Sequence, residues 1–287
     1  CNYDSIYHQK GIITAFKEAG FRTAFFSNQR YNHSFIDFFG MEADTYDFIK
    51  EDSLDSAYNP SDDELLALVA KELSKGNQKQ FIVLHTYGSH FNYRERYPSE
   101  DAFFLPDYPV EAEVKYRDNL VNAYDNTIRY TDGFLSRLIH MLEEQHVDAA
   151  MLYTSDHGED IFDDSRHLFL HASPVPSYYQ LHVPFLIWMS DTYREAYPEH
   201  WQTVTGNKDK DVSSSRSFFP TMLELGGVQT SYRNDSSSVV SPLYTMKPRV
   251  YLNDHNEPRP LDDLGMKQPD FQKCQVLGIK YQVIGNK

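Results

Sequence analysis

Four short apolar runs punctuate this chain, and each gives way abruptly to polar residues. They are Phe21 to Ser27 (FRTAFFS), Phe81-Ile82-Val83-Leu84, Ala149-Ala150-Met151-Leu152-Tyr153, and Val183 to Met189 (VPFLIWM). Runs of about 4–8 apolar residues bounded by polar or turn residues read as strands buried on both faces. The segments preceding or following them carry helical spacing instead. GIITAFKEAG, from Gly11 to Gly20, reads as a helix closed by glycine. Ser61 followed three residues later by Glu64 predicts a capping box in front of LLALVAKEL. From about Val110 to His146 apolar residues recur at helical spacing, predicting one long helix or two broken near Gly133. FFPTMLELGG, from Phe218 to Gly227, reads as a helix ending in glycine. Helices alternating with near-continuous apolar strands predict an α/β fold, a mostly parallel sheet sandwiched by helices. Ligands of such a sheet bind beyond the carboxyl ends of its strands.

A chain of 287 residues suits one large α/β domain or two small ones. It is long enough to bury roughly three quarters of its unfolded surface. Beyond Gly227 the composition shifts to Ser, Asn, Pro and charged residues before a predicted closing strand from Leu277 to Ile284. Residues 231–287 therefore read as an irregular tail of the same domain as residues 1–230. The formal net charge of −15 argues against a nucleic-acid partner. It also requires that any anionic substrate be drawn by a local positive centre, such as a metal ion. With only Cys1 and Cys274 there is no disulfide framework. No run approaches the roughly 18 apolar residues of a membrane span, and no signal peptide opens the chain. The abrupt start at Cys1, without an initiator Met, leads to the expectation of a fragment whose anchor or export signal lies outside it.

Applying the carboxyl-end rule to each run collects an unusual set of side chains. The second run leads into His85-Thr86-Tyr87-Gly88-Ser89-His90. The third delivers Asp156, His157 and Glu159 into one turn, with Gly158 between them. The loop before the fourth holds His167, His171 and His182. Asp oxygen and His nitrogen are zinc ligands. An Asp-His pair taken alone reads equally well as a salt-bridged structural couple. A single His near a strand end is more often a hydrogen-bonded structural residue, and His85 is expected to pack in its strand. Histidines at three neighbouring strand ends favour metal or acid–base chemistry. Asp160, Asp163 and Asp164 read as a solvated acidic face, and the sequons at Asn32 and Asn234 as coincidental.

Five blocks taken together resemble a known family. They are His85-Thr86-Tyr87-Gly88-Ser89-His90 with Arg96-Tyr97-Pro98, Tyr124-Asp125-Asn126-Thr127 with Tyr130-Thr131-Asp132, Ser155-Asp156-His157-Gly158-Glu159, Leu170-His171, and His182-Val183-Pro184-Phe185-Leu186. Their order and spacing resemble the lipid A phosphoethanolamine transferases, within the sulfatase and alkaline phosphatase superfamily. The resemblance implies an alkaline-phosphatase-like catalytic domain at the periplasmic face of the inner membrane, tethered by an N-terminal membrane region. It implies transfer of phosphoethanolamine from a phospholipid donor to a lipid A or glycan acceptor through a phospho-threonine. It implies zinc on Asp156 and His157, phosphate or a second zinc held by the catalytic histidines His90 and His171, and Glu159 near the transferred amine of the substrate.

The departures carry expectations of their own. The nucleophilic threonine and an early acidic zinc ligand are expected upstream of Cys1, so that this chain alone would be inactive and would bind zinc weakly. Ser27-Asn28-Gln29-Arg30 replaces an Asn-rich, Lys-containing loop, the family's disulfide cysteines are missing, and the tail looks closer to sulfatases. Three alternatives therefore stay open: an arylsulfatase-type hydrolase, for which calcium replaces zinc; a phosphoglycerol transferase of the lipoteichoic acid type; and a non-catalytic module of the same fold.

Overall fold

The helix expected after Gly11 runs over Ile12–Glu18 (α1), turning Ile13 and Phe16 inward, and delivers the chain into the first strand, Arg22–Ser27 (β1). A computed structural model describes residues 10–30, 36–50, 59–76, 79–171, 176–252, 257–260 and 267–278. Cys1 and the sequon at Asn32 lie outside these residues. The chain divides into two compact units. One comprises residues 1–111, 118–146 and 226–231, and the other residues 112–117, 147–225 and 232–287.

In the first unit β1 is followed by Ile36–Gly40 (α2), Thr45–Phe48 (β2), Glu64–Leu73 (α3) and Gln80–His85 (β3). The sheet order is β2-β1-β3, all parallel, with Ser27 level with Phe48 on one side and His85 on the other. Five of the six residues of β1 are buried, as a central strand with both faces covered requires. The Phe16 ring stacks on Phe81 with centroids 3.9 Å apart, and Leu65 and Val69 of α3 are fully buried. The capping box forms only in part. The Glu64 carboxylate accepts from the Ser61 amide at 3.0 Å, whereas the Ser61 hydroxyl bonds Tyr130. Arg117–Glu143 (α4) is one helix of 27 residues and passes through Gly133 without a break. Its side of the unit is fastened by Asn126, whose Oδ1 accepts from the amides of Phe103 and Phe104, both at 2.9 Å.

The second unit begins with Ala150–Thr154 (β4) and a two-residue hairpin, Asp160–Ile161 (β5) with Phe169–Leu170 (β6). Tyr178–Leu181 (α5) precedes Phe185–Met189 (β7). The parallel arrangement does not extend here, because β7 runs antiparallel to β4, with Leu152 level with Ile187. The connection between these strands consists of hairpin and loops rather than one crossover helix, so the chain returns reversed. Asp191–Ala196 (α6), Pro198–Asn207 (α7) and Ser214–Leu225 (α8) follow. Met189, Tyr193, Leu225, Val239, Val240 and Tyr244 form the core of this unit.

The tail is less irregular than expected. Val250–Leu252 (β8) pairs antiparallel with Pro258–Pro260 (β9), and Gln268–Val276 (α9) buries Asp270 and the free Cys274. Leu277 and Gly278 of the expected closing strand form a turn after α9, and 279–284 lie outside the described residues. The backbone amide of Lys267 bonds the Asp270 carboxylate at 2.8 Å, a carboxylate at a helix N-terminus that favours helix over strand.

Candidate metal centre

β4 ends at Thr154, and the next five residues form a tight loop pinned from two sides. The Gly158 amide donates to the Gln180 carbonyl at 2.8 Å. A Cβ on residue 158 would lie 2.1 Å from the Tyr179 carbonyl oxygen, so the backbone approach of α5 admits only glycine. Asp160 is the second pin. It is 2% exposed and accepts from the Ser177 hydroxyl at 2.7 Å and the Gln180 amide at 2.6 Å. Burial pushes its carboxyl up from the ordinary carboxylate range against those hydrogen bonds. The acidic run is therefore no solvated face. Asp160 is core, Asp163 accepts from the Ile161 amide at 2.7 Å, and Asp164 is paired with Arg166. Asp163 and Asp164 satisfy donors within the hairpin, and Asp160 satisfies donors at the start of α5.

The hairpin register puts Asp160 opposite Leu170, which places Glu159 and His171 one step further along on facing positions. Glu159 Oε1 accepts from His171 Nδ1 at 3.2 Å, and the His157 and His171 rings lie with centroids 3.7 Å apart. His157, Glu159 and His171 each offer one donor atom, all within 4.8 Å of one another. The Glu159 side chain is 4% exposed, and the histidines are about a third exposed, at 32% and 30%. The His157 ring is oriented by its own backbone, because Nδ1 faces the Gly158 carbonyl at 3.0 Å and must carry the proton. That leaves Nε2 as the lone-pair donor, 3.7 Å from Asp156 Oδ2. The Asp156 carboxylate is exposed, and its Oδ1 accepts from the His157 amide at 3.0 Å. Two imidazoles and one or two carboxylates suit zinc. They suit calcium poorly, since calcium takes six to eight oxygens.

His90 belongs to the first unit. It is exposed, with Nδ1 against the Phe91 carbonyl and its own carbonyl accepting from Arg96 Nε at 3.1 Å. His85 closes β3 with Nδ1 2.9 Å from the Ser27 hydroxyl, the packed position expected of it. His167 sits exposed in the hairpin turn, and His182 stacks on Tyr178.

One contributor escaped sequence reasoning. Asp62, 5% exposed, accepts from the Asn28 side chain at 2.7 Å and from the amides of Tyr87 and Gly88, both at 3.1 Å. It thus clamps the loop that ends in His90, at a point where Gly88 has a positive φ of 54°. Its only sequence signal was an acidic residue at the start of α3, which reads as ordinary helix capping.

The chain matches the sulfatase family over residues 4–228. It is 34% identical over 168 residues to the phosphoethanolamine transferase EptA of Salmonella typhimurium, a match covering 56% of this chain and 30% of that protein. The C-terminal periplasmic domain of EcEptC from Escherichia coli, in complex with Zn, superposes with a TM-score of 0.79 at 22% identity. That match covers 91% of this chain and 74% of the other and shows a shared fold. The soluble domain of lipooligosaccharide phosphoethanolamine transferase A from Neisseria meningitidis gives 0.72 at 26% identity, covering 83% and 72%. With its match reaching from the first strand past α8, and with the Asp156–Glu159 loop inside it, the chain belongs to the sulfatase family.

Proposed function

We propose that the chain forms the catalytic part of a zinc-dependent phosphoethanolamine transferase, passing phosphoethanolamine from a phospholipid to a lipid A-type or glycan acceptor. The carrying observation is the convergence of His157, Glu159 and His171 on one point beside Asp156, within a segment similar to transferases of that name. Asp156 and His157 Nε2 would hold the metal. Glu159 fixes the neighbouring His171 ring through Nδ1, in the manner of carboxylates that orient metal-binding imidazoles. When bound, the ion neutralises the charge that develops on a phosphodiester and lowers the pKa of a nucleophile beside it. Such a centre is needed in a chain of net charge −15, which otherwise repels an anionic donor.

His171 is assigned to hold the phosphate or a second zinc, and Glu159 lies near the ethanolamine ammonium; His90 is assigned to hold the phosphate or protonate the leaving oxygen. The proposed setting is the periplasmic face of the inner membrane; in support, the E. coli relative is a periplasmic domain and the N. meningitidis relative an integral membrane protein. Among the described residues no helix is long and apolar enough to cross a membrane.

The test is transfer by the intact protein from a phosphatidylethanolamine vesicle to purified lipid A, followed by mass spectrometry. One added phosphoethanolamine per acceptor, lost on chelation and restored by zinc, is the expected result. Transfer unaffected by chelation, or hydrolysis of a sulfate ester in its place, overturns the proposal.

A further inference from the structure

One surface stretch of the first unit is apolar where its surroundings are charged. Over residues 102–110 (AFFLPDYPV) the only charged residue is Asp107, which is buried, its carboxylate accepting from the Tyr97 hydroxyl at 2.8 Å and from Arg94 Nε at 3.1 Å. The large apolar side chains face outward. Phe103, Leu105 and Tyr108 are 66%, 65% and 68% exposed, and Phe104 is 38% exposed. The backbone that presents them is pinned to α4. Asn126 accepts from the amides of Phe103 and Phe104, both at 2.9 Å, and donates to the Phe104 carbonyl at 3.0 Å. Asn122, one turn earlier on the same helix, donates to the Pro106 carbonyl at 2.9 Å.

Backbone pairing, area and charge together select what covers this face. The amides of Phe103 and Phe104 are taken by Asn126, and Pro106 and Pro109 carry none, so the loop has few donors with which to extend a partner's sheet. Internal pairing of this kind is what an apolar medium demands of a backbone. The four exposed side chains present roughly 400–500 Å². That falls short of the roughly 800 Å² each subunit commits to a stable dimer. Exposed acids flank the loop, Glu100 and Asp101 before it and Glu111 after it, and with the net charge of −15 they oppose an anionic surface. The loop itself exposes no charge, which matches a zwitterionic one. The exposed Arg129 borders it, with its guanidinium 5.1 Å from the Phe103 ring centroid, and offers a cation to lipid phosphates.

We propose that the loop at residues 103–108 inserts into the headgroup region of a zwitterionic phospholipid bilayer and seats the first unit on it. Phe, Leu and Tyr are side chains that settle at that depth, with apolar bodies toward the acyl chains and the tyrosine hydroxyl toward water. Attachment needs neither metal nor turnover, so it stands or falls apart from the transfer reaction.

The experiment is flotation of the chain with vesicles of phosphatidylethanolamine and phosphatidylcholine, in the presence of a chelator. Saturable partition is expected, unchanged between about 0.1 and about 0.5 M salt because no ion pair carries it. Phe103→Ser with Leu105→Ser should lower the partition about tenfold or more, with the thermal midpoint unchanged because both side chains are exposed. Leu105→Trp should keep the partition and gain fluorescence that lipids brominated on their acyl chains quench beyond any quenching of the parent, whose tryptophans are Trp188 and Trp201. Absence of partition, partition abolished by salt, partition unchanged in the double variant, or no added quenching in Leu105→Trp overturns the proposal. Light scattering that finds the parent dimeric and the double variant monomeric assigns the face to a second copy and overturns it as well.

Discussion

Gly158 and Tyr179 approach so closely that any side chain on residue 158 would collide with the Tyr179 carbonyl oxygen, 2.1 Å from where its Cβ would stand. The contact is with backbone and cannot be relieved by a rotamer change. Gly158→Ala should therefore cost about 1–3 kcal/mol of stability, the usual range for overpacking. It should also displace His157 and Glu159 on either side. Chemical denaturation combined with equilibrium zinc binding would check both effects, and an unaltered denaturation midpoint would contradict the geometry.

The Glu159–His171 pair separates two kinds of metal loss. His157→Ala removes a donor atom and should abolish stoichiometric zinc, measured by elemental analysis after dialysis. Glu159→Gln keeps the shape but weakens the acceptor for His171 Nδ1, and should lower zinc affinity by roughly 10–100-fold. In Glu159→Gln, as in the parent, bound zinc should be released as pH falls, because imidazole binds a metal only in its neutral form.

Asp62 predicts a pH dependence of known sign. Burial pushes its carboxyl above the ordinary carboxylate range, against the hydrogen bonds from Asn28, Gly88 and Tyr87. The native state then holds a proton that the unfolded chain has already released. This contribution to stability is present in acid and is lost as pH rises through the raised value. Asp62→Asn cannot titrate, so its destabilisation relative to the parent should be larger in mild acid than at neutral pH. Urea unfolding at about pH 4.5 and about pH 7.5 would measure it, and a deficit that grows with pH would contradict the assignment.

Arg166 and Asp270 form a buried ion pair in the second unit. Asp270 is fully buried and accepts from Arg166 Nη1 at 2.6 Å and Nη2 at 2.8 Å, as well as from the Tyr178 amide at 3.0 Å. Asp270→Ala leaves the guanidinium with Asp164 alone and strands the Tyr178 amide, and should cost about 3–5 kcal/mol. Thermal unfolding would test this. Arg166→Met and Asp270→Leu combined with Asp164→Asn should recover part of the loss, because none of the three charges is then left buried without its partner.

Much of the architecture was legible locally. The strands β1, β3, β4 and β7 lie where the apolar runs placed them, although only β1 is buried along nearly its whole length, β3 and β4 being mostly half-buried and β7 exposing Leu186. The helices α1, α3 and α8 follow from helical spacing and terminal glycines. The one long helix α4 tolerates Gly133 because packing along its 27 residues outweighs the roughly 1 kcal/mol a helical glycine costs. The predicted closing strand failed at Leu277 and Gly278, where α9 and its turn take over, since short apolar runs do not distinguish helix from strand.

By itself the amino-acid order determined which residues stand at the strand ends, and so that Asp156, His157 and Glu159 share one turn. Only the tertiary structure decided that His171 closes on Glu159, that Asp160 is buried rather than solvated, that Asp62 clamps the loop before His90, and that β7 returns antiparallel. The physical reason is range. Side-chain periodicity is a property of neighbours along the chain, whereas a buried polar group must find its partner in space, and that partner lies 12 residues from Glu159, 17 and 20 from Asp160, and 25 to 34 from Asp62.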